Sequence, residues 1–263
     1  MTNKNARIEL RNVSQYFVTK KDVVHALSEL SFKILEGEFV SLVGPSGCGK
    51  STCLGLISGL LAPASGEVLI DAEAVRGPNR HVGYMLQKDL LMPWRTVLEN
   101  VMYGLEIRRV PKKEAVEKAL EGLERYGLYG FAHRYPRELS GGMRQRAALI
   151  RTLLLGPDIV LLDEPFSALD FQTRLVIEED VRNILTREGK TVLLITHDIS
   201  EAIAMSDRVL VMSNRPGRIK TEYNIELSSG HDSPLMARES PEFSAYFTRI
   251  WKELDINIGA TSS

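Results

Sequence analysis

The most specific chemistry in the sequence lies in "GPSGCGKST", where Gly44, Pro45, Ser46, Gly47, Cys48, Gly49, Lys50 and Ser51 fit G-x-x-x-x-G-K-[ST] and Thr52 follows. The three glycines let the backbone curl until its N–H groups face phosphate oxygens. Lys50 then reaches the β- and γ-phosphates, and the Ser51 hydroxyl can ligate Mg²⁺. A phosphate loop needs an acidic metal partner on a neighbouring strand, and "IVLLDEP" supplies Asp163 after four apolar residues, with Glu164 next. Successive strand residues point apart, so the two carboxylates can take separate roles, one near Mg²⁺ and one as the base that polarises an attacking water. His197, at the end of "LLITHD", can sense or polarise a terminal phosphate, and Gln87 can bridge water or metal.

A second glycine turn, "LSGGMRQR", runs into a helix at Ser140, Gly141 and Gly142. Free N–H groups and the positive end of the helix dipole converge there, so it too is suited to an anion.

These groups need a scaffold. "EFVSLV" before the loop reads as a strand and "CLGLISGLL" after it as an apolar helix, which is the setting a phosphate loop requires. "RIELRNV" and "EVLID" alternate as strands with one polar face do, whereas "DIVLLDEP" and "TVLLITHD" are unbroken apolar runs, as in buried parallel strands with functional groups at their carboxyl ends. Residues from about 98 to 128 read as helical, with Ala115, Val116, Ala119, Leu120 and Leu123 on one face and Gly127 as a stop. In "PEFSAYFTRIWKELDI", Phe243, Tyr246, Phe247, Ile250, Trp251 and Leu254 share a helical face expected to pack on the core, and "NIGATSS" reads as a frayed tail.

The 263 residues suffice for one large domain, or a core with a subdomain. A net charge of -1 gives no global basic field, so nucleic acid is not an expected partner. Cys48 and Cys53 read as free thiols of a reducing compartment, and no run approaches the roughly 18 apolar residues of a membrane span.

Taken in order, the motifs resemble the ATP-binding-cassette (ABC) family over nearly the whole chain. "GPSGCGKST" stands as Walker A, Gln87 as the Q-loop glutamine, "LSGGMRQR" as the signature, "IVLLDEP" as Walker B, "SALD" at 167–170 as the D-loop and His197 as the switch histidine. The resemblance implies an α/β fold: a P-loop NTPase (RecA-like) core with an antiparallel β subdomain and a helical subdomain. Within a single domain over 1–263, residues 1–87 and 151–225 would form the nucleotide-binding core with its β subdomain. Residues 88–150 would form the helical subdomain with the signature, and 226–263 a C-terminal helical tail.

It also implies ATP and Mg²⁺ as ligands, with Ser51, Gln87 and Asp163 at the metal, Glu164, His197 and Gln87 catalytic, and Phe17 stacked on adenine. Two cassettes would pair head to tail, so that Ser140, Gly141 and Gly142 of one chain close over the γ-phosphate held by the other, with Asp170 communicating across the dimer. The second copy could be identical or paralogous.

"LLMPWRTVLENV", "SNRPGRI" and the tail resemble the cassettes of nitrate, aliphatic sulfonate and taurine importers. The expected function is therefore to power uptake of a small solute through a separate permease, indirectly with an extracytoplasmic solute-binding protein, from the cytoplasmic face of the inner membrane. The permease dock is expected near Gln87 to Trp94. The alternative is a soluble, non-transport cassette of DNA repair or translation. Cys53, Ile150 and Thr152 depart from the family's usual residues, but none is a phosphate ligand.

Overall fold

The computed structural model describes residues 5–18, 22–167, 169–230 and 233–254; the expected frayed end at 257–263 lies outside them. Strand β1 (Ala6–Val18) buries Ile8, Leu10 and Val13 and leaves Arg11 and Asn12 exposed, the two-faced pattern expected of "RIELRNV". It pairs antiparallel with β2 (Val23–Leu35). After β3 (Phe39–Val43) and α1 (Lys50–Ile57), β4 (Ser65–Ile70) joins the other edge of β1, and β5 (Glu73–Ala74) completes a sheet of order β2-β1-β4-β5. Strand β2 has no clean sequence signal, because Glu29 sits at φ 52° where the pairing register shifts, and the two-residue alternation breaks there.

The second sheet contains both unbroken apolar runs, as β7 and β8. β3, β6 (Val82–Met85), β7 (Ile159–Asp163), β8 (Thr191–Thr196) and β9 (Arg208–Met212) are parallel, with β10 (Ile219–Asn224) antiparallel at one edge, in the order β10-β9-β3-β8-β7-β6. Every residue of β3, β7 and β8 is buried, as strands covered on both faces must be. These neighbours end at Val43, Asp163 and Thr196, so the phosphate loop, Glu164 and His197 leave the sheet side by side at its carboxyl edge.

Between β6 and β7 the chain forms α2 (Val97–Val101), α3 (Tyr103–Ile107), α4 (Lys112–Arg125) and α5 (Gly141–Leu153). The α4 stripe holds as read: Ala115, Ala119 and Leu123 are fully buried, Val116 and Leu120 partly so, and Gly127 follows the helix at φ 70°. These helices share one hydrophobic cluster with Val160, Leu162, Val192 and Leu194 of the parallel sheet. The insert therefore rests directly on the sheet.

Helices α6 (Phe171–Arg187), α7 (Ile199–Met205), α8 (Pro234–Glu239) and α9 (Phe243–Glu253) complete the chain. Ile250 and Leu254 are buried against Val43, Ile203 and Val211, with Phe243, Tyr246 and Phe247 packed beside them. Trp251 stays at the rim, stacked on Phe247 at 6.0 Å, so the tail packs on its own core as expected. Arg238 of α8 reaches under the surface to pair with Glu178 of α6, which has no solvent exposure.

Glu201 of α7 lies near this pair, buried, accepting a hydrogen bond from Thr196 Oγ1 at 3.1 Å; among the described residues its other oxygen has no hydrogen-bond partner. Burial pushes its carboxyl well above the usual range, and the negative charges of Glu178 and Asp198 add to the effect. A raised folded value means the native state keeps a proton that the unfolded chain has released. The stabilisation is complete below the unfolded value of about 4.3 and is lost as pH rises towards the folded one. Glu201→Gln, neutral at every pH, should gain in thermal stability on the wild type as pH is raised above the unfolded value of about 4.3. Melting curves at several pH values test this, and a constant or shrinking gap would contradict it.

Candidate functional site

Backbone geometry explains why the loop at 44–49 needs glycines. Gly47 and Gly49 have φ of 77° and 109°, a region that side chains disfavour. A Cβ on Gly49 would also lie 2.8 Å from the Ala26 carbonyl oxygen. The curled loop brings the carbonyls of Gly44 and Pro45 within 2.7 and 3.0 Å of Lys50 Nζ, which donates to both and is 7% exposed. Among the described residues this ammonium hydrogen-bonds only neutral carbonyls, an arrangement that an anion would complete.

Beside it opens a cavity of about 360 Å³ lined by Phe17, Val24, Ala26, Ser46, Gly47, Gly49, Lys50, Ser51, Thr52, Glu164 and Arg215. Gly44, Pro45 and Cys48 do not line it; the Cys48 thiol is buried and pushed up, chiefly by that burial, and Cys53 is pushed up to about 12. Of the two adjacent aromatics, Phe17 faces the cavity from its pair with Val24, while Tyr16 lies against His25.

The acidic groups converge from the sheet edge. Ser51 Oγ donates to Asp163 Oδ1 at 3.4 Å, and Tyr84 Oη donates to Asp163 Oδ2 at 3.2 Å. Burial raises the Asp163 carboxyl against these two hydrogen bonds, and burial with the nearby carboxylate raises the Tyr84 hydroxyl, which remains a donor. The chain then turns at Glu164, just past the end of β7 and with φ 46°, and the two carboxylates take different partners. Glu164 Oε2 accepts from Gln87 Nε2 at 3.1 Å and lies 3.2 Å from His197 Nδ1. Gln87, Glu164 and His197 thus form one cluster beside Ser51 and Asp163.

Sequence reasoning missed two groups here. Tyr84 gives no signal inside the short strand "VGYM". Arg174 donates to the Leu169 carbonyl and to Asp198 Oδ2, both at 3.2 Å, and so braces Leu169 against the residue after His197. Asp170 is the N-cap of α6, its side chain accepting from Thr173 N, and the Thr173 hydroxyl and backbone N–H hold its carboxyl below the usual range.

The second glycine turn lies elsewhere. Ser140 caps α5, its hydroxyl accepting from Met143 N at 3.3 Å, and Gly141 begins the helix. A Cβ on Gly142 would sit 2.7 Å from Thr173 Cγ2, so α5 and α6 approach closely there. Ser140 and Gly142 line a separate cavity of about 320 Å³ with Met143, Thr173, Val176 and Ile177. Neither residue lines the cavity beside Lys50.

The family model described as ABC transporter matches residues 27–167, which spans the phosphate loop, the second glycine turn and the Asp163–Glu164 pair. This chain belongs to the ABC transporter family. The cassette is 45% identical over 94% of its length to an uncharacterized ABC transporter ATP-binding protein, YtlC, of Bacillus subtilis, covering 95% of that protein. It is 41% identical to the nitrate import ATP-binding protein NrtD of Synechocystis sp., over 92% of this chain and 93% of that one. A third relative is the taurine import ATP-binding protein TauB of Pelagibacter ubique, at 40% identity over 92% of this chain and 94% of that one. Among solved structures, the cassette matches the dimeric post-hydrolysis state of the ATP-binding cassette MJ0796 bound to ADP and Pi, with TM-score 0.74 and 34% identity. That match covers 83% of this chain and 99% of the other. The ABC ATPase fold expected from the sequence, a P-loop NTPase core with an antiparallel sheet and inserted helices, is the observed one.

Proposed function

We propose that this cassette is the ATP-binding and hydrolysing subunit of an importer, driving uptake of a small solute such as nitrate, an aliphatic sulfonate or taurine through a separate membrane permease. One observation carries the chemistry: Gln87, Glu164 and His197 converge beside the Ser51–Asp163 pair at the mouth of the glycine-loop cavity. That relatives are nitrate import and taurine import ATP-binding proteins supports the direction of transport.

In this reading, Gly44 to Thr52 wrap the phosphates of ATP and Phe17 lies against the base. Ser51, Asp163 and the amide oxygen of Gln87 are hard oxygen donors suited to Mg²⁺, which takes few protein ligands when phosphates and waters complete its shell. Mg²⁺ would neutralise charge developing on the β- and γ-phosphates. The Glu164 carboxylate orients a water and takes its proton, while His197 and Gln87 hold Glu164 in place. Ser140, Gly141 and Gly142 serve the nucleotide of a second cassette, identical or paralogous, as the dimeric state of the MJ0796 structure supports.

Residues 88–150 act as the helical subdomain that meets the permease, residues 1–87 and 151–225 as the nucleotide-binding core, and the segment from 226 as the tail. An extracytoplasmic binding protein would select the solute. The rival reading in DNA repair is disfavoured because the longest helix between Lys50 and Ser140 is α4, of 14 residues, far from a coiled-coil arm.

Among the described residues no helix is long and apolar enough to cross a membrane, so attachment at the cytoplasmic face needs a partner surface. Leu86, Leu90, Trp94 and Ile107 are exposed and apolar. Asn100 fixes this region by donating to the carbonyls of Met92, Arg95 and Thr96, and Arg144 of the signature helix holds Asp89 at 3.2 Å. Leu91, by contrast, is buried in the core of the insert and is no part of a dock.

Co-expressed with its permease, the chain should move to the membrane fraction and hydrolyse MgATP there. The double variant Leu90→Glu, Trp94→Ala should stay unattached with its ATP affinity intact. Unchanged attachment of that variant would place the dock elsewhere.

A further inference from the structure

The 213–218 loop between β9 and β10 folds back onto the phosphate loop. Gly217 N donates to Ala26 O at 2.9 Å, and Ser28 N donates to Gly217 O at 3.1 Å. A Cβ at Gly217 would lie 2.2 Å from the Cys48 carbonyl oxygen, so only glycine permits so close an approach. Ser213 closes the turn, its backbone N–H donating to Arg218 O at 2.9 Å while its hydroxyl accepts from Arg218 N at 3.0 Å.

Two arginines stand on this anchored turn, and they are used differently. Arg218 donates to Ser28 Oγ at 2.9 Å and approaches Glu29. Arg215 lines the cavity beside Lys50, and among the described residues its guanidinium has no hydrogen-bond or ion-pair partner. A cation held by a rigid turn at the rim of a cavity that already contains Lys50 is repelled by it until an anion enters.

We propose that Arg215 is a nucleotide-binding residue whose guanidinium holds the α-phosphate and ribose end of the bound nucleotide. Lys50 and Ser51 serve the β- and γ-phosphates, which leaves the α-phosphate without a cation. Gly217, two residues on, ties this turn to Ala26, which lines the cavity with Val24 and Phe17, the residue that the proposed function sets against the base. Because this contact lies away from the bond that breaks, it is made equally in the ground state and the transition state. The assignment rests on the reading of this cavity as the ATP site.

The test is the affinity of the full chain for MgATP and MgADP, together with steady-state turnover in the permease complex. Arg215→Ala should weaken both nucleotides to the same degree, by about three- to tenfold, and raise KM with kcat unchanged. Arg215→Lys should recover part of the loss, and the salt dependence of binding should be smaller in the alanine variant. Unchanged affinity for both nucleotides, or a fall in kcat with affinity intact, overturns the proposal. Lys50→Ala separates the two failures. If it abolishes nucleotide binding while Arg215→Ala is silent, Arg215 alone is misassigned; if it binds MgATP like the wild type, the cavity is not the ATP site and both readings fall.

Discussion

Glu164→Gln should bind MgATP with near wild-type affinity and hydrolyse it about 10²-fold more slowly or worse. The amide matches the carboxylate in size and can keep a hydrogen bond with Gln87 Nε2, so the local arrangement survives. What is lost is the ability to take a proton from water. Glu164 is the group placed for that task because Asp163 points away, bonded by Ser51 and Tyr84, while Glu164 opens to the cavity beside His197. Single-turnover hydrolysis in the assembled transporter, with nucleotide binding measured in parallel, checks it. Wild-type turnover in the variant would remove Glu164 from the base role and leave His197 as the next group to test.

The second large effect concerns the separation of the two glycine cradles. Ser140 and Lys50 line different cavities of one chain. If Ser140 closes over a partner's nucleotide, a mixed dimer of Ser140→Arg and Lys50→Ala should collect both defects in one site and keep the other whole. That intact site combines Lys50 of the first chain with Ser140 of the second. Trapping of a non-hydrolysable ATP analogue should then approach about one per mixed dimer, against nearly none in either homodimer. Trapping is preferable to turnover because coupled sites can silence each other's hydrolysis. A verified mixed dimer that traps nothing would show that each chain uses its own signature.

The parts of this molecule legible in the sequence are those where chemistry or burial constrains residue type over a short span. Unbroken apolar runs announced β7 and β8, the phosphate loop announced β3 before it, and the groups at the strand ends announced the site, since a buried parallel strand ends in polar residues only where the chain surfaces. The α4 stripe was equally plain because its buried face repeats at helical spacing. Long-range geometry was not legible. Strand β2 is bent by its irregular register, so its pattern follows no single period. Leu91 and Leu90 are alike in sequence, and only packing sends one inward and the other to the surface. Tyr84 and Arg174 meet residues 79 and 24 positions away, and Arg215 shares a cavity with Lys50, about 165 positions away, distances over which local patterns carry no information.

The pairing of Arg238 with Glu178 makes the tail a counter-ion for the interior as well as a surface covering. Burial already presses the Glu178 carboxyl upward, and its second oxygen has no hydrogen-bond partner among the described residues. Removing one member of a buried pair typically destabilises a protein by about 3 to 5 kcal/mol, because the charge left behind has no compensation. The tail therefore cannot be trimmed at α8 as a detachable appendage. A chain shortened there would be a poorer fold rather than a smaller enzyme, and a fused domain or tag is better joined beyond residue 254 than substituted for the last two helices.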